Sequence, residues 1–281
     1  QMKTKQKIFV AKIIYYFFIF FGIKKNILVK RRSINWHLDL SEGIDLSIFL
    51  FGSFQGDVIQ SIINFIFKKK NKFKNSFTII DVGSNIGDKS LSLSSSLLDK
   101  NFTNFKIFSI EPTNYAFKKQ LRNINLNPKL KKKIFPFKGY VSDKKNKPSK
   151  IYSSWRLDSN TKSHKTHKGI LKKVDKSTSI IFLDDFIKKN KIINTIILKI
   201  DVDGFEMNVL KSCKKTLKVN SPIIFMEYAP YTMIEKGFNI MEFKKFIKRY
   251  DYEVYDLNFK KIKKINISDG ASTDIVLIKN K

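Results

Sequence analysis

Short runs of apolar, β-branched residues alternate with longer helical segments from Phe77 onward. Strands buried on both faces of a parallel sheet form continuous apolar runs of this kind, and the intervening helices cover the sheet. The pattern predicts strands at 77–82, 105–110, 134–141, 194–201, 222–228, 252–257 and 273–279, and helices at 87–98, 113–126, 183–189, 204–218 and 239–249. We therefore expect an open α/β domain. No helix separates the last two strands, which favours an antiparallel hairpin at one edge.

Residues 144–180 interrupt this alternation because they are rich in Lys, Ser and Thr and lack periodicity. Such a segment is typical of an inserted loop or lid. The chain then divides into an N-terminal apolar and basic appendage at 1–34, a helical or extended region packed on the core at 35–76, and the main domain at 77–281.

The apolar run at 13–23 has no charged residue and is followed by basic residues at 24, 25 and 30–32. It is shorter than the roughly 20 residues that a helix needs to cross a bilayer. Two interpretations stay open, a helix at an anionic membrane surface and a helix packed on the following domain. The single Cys213 lies in a predicted helix and fits a reducing compartment, so we expect a cytoplasmic protein, with peripheral contact at the inner membrane face as one alternative.

The net charge of +31, from 55 Lys and Arg against 24 Asp and Glu, is typical of proteins that bind polyanions. However, 50 of the 55 basic residues are Lys, and 40 Ile stand against 4 Ala. Lys and Ile have A/T-rich codons, so an AT-rich genome explains much of the excess. The basic residues are also spread over both halves of the chain rather than gathered in one tail. Nucleic acid is therefore not the favoured partner.

The first strand of the main domain leads into the loop Asp81-Val82-Gly83-Ser84-Asn85-Ile86-Gly87. In open parallel sheets, ligands bind at the carboxyl ends of the strands. Gly83 allows a sharp turn and a close approach of a ligand to the backbone, and Gly87 allows close packing of the next helix. The G-x-G-x-x-G spacing that seats a pyrophosphate is absent. An acid before the loop suits an ammonium or sulfonium group better.

The next two strands also end in polar residues. Pro112 keeps Glu111 extended at the tip of the second strand, where a carboxylate can bind ribose hydroxyls or, alternatively, stabilise the N-terminus of the next helix. Ser142 and Asp143 follow the third strand, where they can reach an adenine edge or form a plain turn.

The fourth strand carries Lys199, Asp201 and Asp203 on one face, by the alternation of strand side chains. Buried charges are costly unless they are paired or used. Glu206 opens the next helix, and Glu227 ends the fifth strand. The cluster is interpreted as catalytic; structural pairing of Lys199 with an acid and coordination of a hard cation are the alternatives.

The motifs DVGSNIG, IEPTNYAF, KIDVDGFEMNVL and PIIFMEYAPY resemble, in order and spacing, the FkbM-type family of S-adenosylmethionine-dependent methyltransferases. The resemblance extends over about residues 35–280, including WHLDLSEGID at 36–45, FLFG at 49–52, IYSSW at 151–155 and SDGAS at 268–272. It implies a class I, Rossmann-like methyltransferase fold with seven strands in a mostly parallel sheet. It also implies S-adenosylmethionine as cofactor and O-methylation, often of sugars or secondary metabolites.

The resemblance assigns roles to the residues at the strand ends. The loop of Asp81, Gly83, Ser84, Asn85 and Gly87 would line the methionine part of the cofactor, Glu111 would bind the ribose, and Ser142 and Asp143 would lie near the adenine. For removal of the acceptor proton we predict Asp201 first, then Glu227, with Lys199 orienting the acceptor or acting as base. No metal site is predicted.

Two residue pairs and two alternative classes of protein need separate interpretation. His164 and His167 are interpreted as solvated loop histidines, whereas Tyr152 and Trp155 either stack on a sugar or hold the insertion on the domain. An RNA or DNA methyltransferase is one alternative class, but the chain lacks the Asn/Asp-Pro-Pro-aromatic motif after the fourth strand and has few Arg. A non-enzymatic basic binding module is the other. The predicted partner is a small-molecule or glycan acceptor.

Overall fold

The computed structural model describes residues 4–73, 76–152, 155–158, 171–263, 265 and 271–280. His164 and His167, interpreted above as loop histidines, and the motif residues 153–154 and 268–270 lie outside these ranges. The helices are α1 Thr4–Phe20, α2 Gly43–Phe51, α3 Gly56–Lys68, α4 Lys70–Phe73, α5 Asp88–Asp99, α6 Asn114–Asn125, α7 Pro128–Lys131, α8 Leu183–Lys189, α9 Glu206–Ser212, α10 Lys214–Val219, α11 Pro230–Glu235 and α12 Ile240–Arg249. The strands are β1 Asn26–Arg31, β2 Ile34–Asp39, β3 Phe77–Val82, β4 Phe105–Glu111, β5 Ile134–Val141, β6 Lys150–Tyr152, β7 Leu171–Lys173, β8 Ser179–Ile181, β9 Thr195–Ile200, β10 Ile223–Tyr228, β11 Tyr252–Tyr255 and β12 Thr273–Lys279.

The main sheet has eight strands in the order β11-β12-β10-β9-β3-β4-β5-β8. All neighbours from β10 to β8 are parallel, and β12 pairs antiparallel with both β10 and β11. The α/β class and the closing hairpin are therefore confirmed. The eighth strand, β8, lies in the predicted insertion and is only three residues long, too short for a recognisable pattern. It fits beside β5 because a Cβ on Gly139 would lie 2.3 Å from Ile181 Cδ1.

Each face of the sheet is covered by its own hydrophobic core. The central strand β3 is buried along its whole length, with Ile79 in the core beneath α3 and α5 and Ile80 in the core beneath α8, α9 and α12. This two-sided burial explains why the strands are continuously apolar in sequence. The helix predicted at 204–218 divides into α9 and α10 at the buried Cys213, whose φ of −123° is not helical.

The N-terminal region forms a hairpin on the edge of the domain. Strand β1 pairs with β2 over 26–31 and 34–39, so the boundary predicted at residue 34 falls inside this hairpin. Asn123 of α6 and Asn127, which precedes α7, hold β2. Asn123 Oδ1 accepts a hydrogen bond from His37 N at 2.9 Å, and Asn127 Oδ1 accepts one from Asn35 N at 2.9 Å. Trp36 is fully buried beneath it.

Helix α1 packs on α2 through Tyr15, which is buried, and Phe18, whose ring centroid lies 5.5 Å from that of Phe49. Within the described ranges, no single helix has both the length and the apolar composition for a bilayer crossing. Helices α2 and α3, with a bend of 63° at the break between them, are long and apolar enough only when they are counted as one segment, by length and composition alone.

If the hairpin belongs to the folded core, Trp36→Ala should destabilise the protein by about 3–5 kcal/mol, because a large buried side chain leaves a cavity. Leu28→Ala on the neighbouring strand is the control, since Leu28 is 70% exposed and its loss should cost under about 0.5 kcal/mol. Urea unfolding of both variants measures the difference. Equal stabilities would mean that the hairpin folds independently of the domain.

Candidate active site

A cavity of about 520 Å³ opens at the carboxyl ends of β3, β4, β9 and β10. Its wall includes seven residues that the sequence predicted as site residues: Gly83, Ser84, Asn85, Glu111, Lys199, Asp201 and Glu227. Four further predicted residues, Asp81, Gly87, Ser142 and Asp143, are not on this wall. The polar residues at the strand ends therefore mark the position of the cavity, although not every one of them lines it.

Gly83 holds the loop after β3 against the end of β9. Its φ is +80°, and a Cβ at this position would lie 1.8 Å from the backbone oxygen of Asp201. The backbone N–H groups of Gly83 and Ser84 both donate to the Ile110 carbonyl, at 3.0 and 3.1 Å. Only glycine permits this conformation together with this approach. The loop is thereby fixed between β4 and β9.

Glu111 is buried at the tip of β4, and both of its carboxylate oxygens are already hydrogen-bonded. Oε2 accepts from Asn85 N at 3.0 Å, and Oε1 accepts from Thr113 N at 2.9 Å and Thr113 Oγ1 at 2.6 Å. Burial raises the pKa of Glu111 above its usual value, and these hydrogen bonds oppose that shift. A carboxylate oxygen has more than one lone pair, so Glu111 can still accept hydrogen bonds from ligand hydroxyls.

Lys199 is a buried cation between two acids. Its Nζ lies 3.4 Å from Asp81 Oδ1 and 3.4 Å from Asp201 Oδ2. Burial alone would lower the pKa of Lys199, but the charges of Asp201 and Asp81 raise it above its usual value. Lys199 therefore keeps its proton and is suited to orienting Asp201. Its alternative role as a base stays a prediction.

Asp81 and Gly87 hold the loop after β3 in place from outside the cavity wall. Asp81 is fully buried, pairs with Lys199 and accepts a hydrogen bond from Ser90 Oγ at 2.7 Å. Gly87 precedes α5 with a φ of +88° and lies against the side chain of Gln120. Both residues position the loop rather than line the cavity.

Glu227 faces Asp274 across the β10–β12 ladder, and Asp201 lies nearby. Burial, followed by the charge of Asp201, raises the pKa of Glu227 well above its usual value, and a hydrogen bond with Ser272 opposes the shift. Burial and the Asp201 charge also raise the pKa of Asp274, to about 6. Several carboxylates thus crowd one side of the cavity, where they attract cations and accept protons.

The turn after β9 is held by Glu206. Its Oε1 accepts hydrogen bonds from Val202 N at 3.3 Å and Gly204 N at 3.1 Å. Burial raises the pKa of Glu206 to about 7. Gly204 has a φ of +98°, and a Cβ there would lie 2.6 Å from the Thr232 carbonyl oxygen. Glu206 is thus a structural residue of the turn that presents Asp203 to the cavity.

Ser142 and Asp143 lie beyond the wall. Asp143 Oδ1 accepts a hydrogen bond from Asn208 Nδ2 at 2.7 Å, and Ser142 Oγ accepts one from Lys144 N at 3.0 Å. Their neighbours Tyr140 and Val141 line the cavity instead. The proposed contact of Ser142 and Asp143 with adenine stays a prediction.

Two charged residues in and beside the wall, Lys89 and Asp274, were not predicted from the sequence, whereas Trp155 was. Trp155 lies on the wall and its carbonyl accepts a hydrogen bond from Gly43 N at 2.9 Å, so it both faces the cavity and holds the insertion on the domain. Lys89, a buried wall residue, pairs with Asp88 at 3.0 Å. Asp274 is not on the wall but faces Glu227 across the β10–β12 ladder, and no sequence motif marked it. The signal for Lys89 and Asp274 was a charge in an otherwise buried element.

The cavity has the features that S-adenosylmethionine requires. The Gly83–Asn85 loop forms part of the wall, Glu111 has carboxylate oxygens that can accept hydrogen bonds from hydroxyls, and Val82, Ile110 and Val141 form apolar surface. The carboxylates of Asp201 and Glu227 suit a sulfonium cation. In the part of the chain that the structure describes, no group of three or more His, Cys, Asp or Glu is arranged to hold a metal ion.

Residues 81–260 match the model of the methyltransferase FkbM domain. Because this match covers more than half of the 281 residues, the chain belongs to the FkbM methyltransferase family, as its motifs predicted. The cofactor of this family is S-adenosylmethionine. No functionally curated protein matches the chain.

Solved structures with a similar fold include methyltransferases of several kinds. The FkbM methyltransferase from Methylobacillus flagellatus KT is 15% identical over 72% of this chain, with a TM-score of 0.40, and the chain spans 43% of its length. Magnesium protoporphyrin IX methyltransferase from Synechocystis PCC 6803, solved with bound SAH, is 7% identical over 80% of this chain and 87% of its own, with a TM-score of 0.42. TYW2 from P. horikoshii, in complex with MeSAdo, is 15% identical over 98% of this chain and 84% of its own, with a TM-score of 0.43.

Gly83→Ala should lower stability by about 2 kcal/mol or more and weaken S-adenosylmethionine binding at least about tenfold, because the new methyl group collides with the Asp201 carbonyl. Gly237→Ala is a matched control: Gly237 has a similar φ of +82° but nothing within 4 Å of a Cβ. It should cost only the strain of the left-handed backbone, about 1–2 kcal/mol. Urea unfolding and titration calorimetry measure both quantities; normal cofactor affinity in Gly83→Ala would contradict the assignment.

Asp274→Asn should stabilise the protein at pH 8 by roughly 1–2 kcal/mol, because it removes a carboxylate whose ionisation is unfavourable in the fold. The pKa of Asp274 is about 6 in the folded protein and lower in the unfolded chain. The penalty is therefore complete above pH 6, and the advantage of the variant should fade as the pH falls towards 4. Urea unfolding at pH 8, 6 and 4 tests this, and an advantage that grows on acidification would contradict it.

Proposed function

We propose that this protein transfers a methyl group from S-adenosylmethionine to a hydroxyl oxygen of a sugar, in a glycan, a lipid-linked saccharide or a secondary metabolite. The observation that carries the proposal is the position of Asp201 and Glu227 beside the Gly83–Asn85 loop in one cavity. Family membership supports methyl transfer, and the carboxylates support oxygen as the acceptor.

When bound, S-adenosylmethionine supplies a methyl group on a sulfonium sulfur, which is already a good electrophile. The protein then has to hold an acceptor hydroxyl in line and accept its proton, because sugar hydroxyls have high pKa values. Asp201 faces the cavity and is oriented by Lys199 at 3.4 Å. Glu227, with its raised pKa, is the second candidate.

The charges of the cavity favour a neutral acceptor over a nucleic acid. Asp201, Asp203 and Glu227 all line it, and carboxylates repel the phosphates of a polynucleotide. Trp155 offers an aromatic face on which a sugar ring can stack. The buried free thiol of Cys213 supports a reducing compartment, so we propose that the reaction takes place in the cytoplasm.

The test is incubation of the protein with methyl-labelled S-adenosylmethionine and glycan, lipid-linked and small-molecule fractions from its own host. We expect label on a sugar oxygen, located by mass spectrometry of the product. Asp201→Asn should reduce this turnover at least about 100-fold and leave the cofactor dissociation constant within a few-fold, because it removes the proton acceptor and keeps the shape.

Asp251→Asn is the matched control, because Asp251 is an exposed acid outside the cavity wall and should leave turnover unchanged. The turnover of Glu227→Gln under the same conditions tests Glu227, the second candidate for the base. Turnover by Asp201→Asn at the parent rate would refute its role as base. Label on nucleic acid, and none on sugar oxygen, would refute the proposed acceptor.

A further inference from the structure

The outer face of α1 and the turn after it expose a cluster of large apolar side chains. The exposed residues are Phe9, Ile13, Tyr16, Phe17, Ile19, Phe20 and Phe21, and Phe20 is 83% exposed. The rings form a continuous surface, since the centroid of Phe21 lies 4.6 Å from that of Phe17 and 5.3 Å from that of Phe20. Contiguous apolar patches of this kind on a protein surface mark interaction sites.

The same surface continues onto the C-terminal end of α2, where Leu50 and Phe51 are exposed. Basic side chains border it there. Arg31 Nε donates a hydrogen bond to the Phe49 carbonyl at 2.7 Å, and the Arg32 side chain lies within 3 Å of a Cβ built on Gly52. Guanidinium groups therefore flank the apolar patch.

The N-terminal segment that carries α1 is basic. Residues 1–38 contain nine Lys and Arg and no Asp or Glu. An apolar surface on this basic segment complements anionic lipid headgroups above an acyl layer. A polynucleotide would match the charge but would leave the aromatic rings in water.

The active-site cavity opens at this surface. Val10, Leu50 and Phe51 line the cavity wall and are also exposed, and Ile14 of α1 lines the wall between them. One apolar surface therefore leads from the outer face of α1 into the cavity that holds Asp201 and Glu227.

We propose that the outer face of α1, together with Leu50 and Phe51, docks on an anionic lipid bilayer and turns the mouth of the cavity towards it. Docking itself does not require methyl transfer. Among the acceptors proposed above it favours a lipid-linked saccharide, and this choice rests on the proposed function. A second copy of the chain and a soluble protein are the competing occupants of the surface.

The experiment is co-sedimentation of the full chain with vesicles of phosphatidylcholine alone and of phosphatidylcholine with phosphatidylglycerol. We expect binding to the anionic vesicles, weaker binding at high salt and little binding to the neutral ones. Phe17→Ser/Phe20→Ser should weaken binding at least about tenfold, because it removes two rings that enter the lipid. Neither residue lines the cavity, so titration of S-adenosylmethionine should give the parent affinity and show that the fold is intact.

The matched control is Ile193→Ser/Val219→Ser, which removes two apolar side chains of 90% and 72% exposure that precede β9 and β10, away from the carboxyl ends of the strands. It should bind vesicles like the parent. Absence of parent binding to anionic vesicles, or equal binding by Phe17→Ser/Phe20→Ser, overturns the proposal. A dimer of the parent in sedimentation equilibrium also overturns it, if Phe17→Ser/Phe20→Ser dissociates that dimer and if neither the parent nor this variant binds vesicles.

Vesicle binding is measured without turnover, so its failure and the failure of the proposed function are distinguishable. If the parent binds vesicles but methylates only water-soluble saccharides, the docking proposal is supported and the choice of a lipid-linked acceptor is overturned. Transfer of label to saccharides of the lipid fraction supports that choice.

Discussion

The buried ammonium group of Lys199 is the constraint on which the site depends. A charge so far from water is tolerated only when it is paired, and its partners come from different parts of the chain: Asp81 on β3 and Asp201 after β9. The pairing fixes the ends of two neighbouring strands relative to each other. Gly83 makes the closest approach possible because it has no Cβ to collide with the Asp201 carbonyl. The Gly83–Asn85 loop of the cavity wall and the candidate base are therefore positioned by one ion cluster.

Crowding of carboxylates gives the same cavity its chemistry. Asp201, Glu227 and Asp274 lie close enough that the charge of Asp201 raises the pKa of the other two, in addition to the effect of burial. Such a site is unfavourable for stability and useful for binding a cation and accepting a proton. This interior of acids contrasts with a chain whose net charge is +31. The net charge of the whole sequence is therefore a poor guide to the ligand. The positions of the individual charges in the cavity are a better one.

The N-terminal residues contribute to both the fold and the surface. The β1–β2 hairpin and Tyr15 are part of the core, while the opposite face of α1 carries exposed rings next to the mouth of the cavity. A helix that is apolar on all sides can pack on a domain and still present an unpartnered face. The two sequence interpretations of residues 13–23, packing on the domain and contact with a membrane, are thus compatible with each other.

The sequence by itself determined most elements of the main domain, the α/β class, the closing hairpin and the family, because apolar periodicity and motif spacing are properties of neighbouring residues. It did not reveal the β1–β2 hairpin or the short strands β6, β7 and β8. It also located Gly83, Glu111, Lys199, Asp201 and Glu227, since strand ends meet at one edge of a parallel sheet. Only the tertiary structure decided that Asp81 faces Lys199, that Asp274 faces Glu227, that β8 joins the sheet and that Asp143 lies off the wall. These features depend on strand register and on contacts between residues far apart in the chain, which no local pattern records.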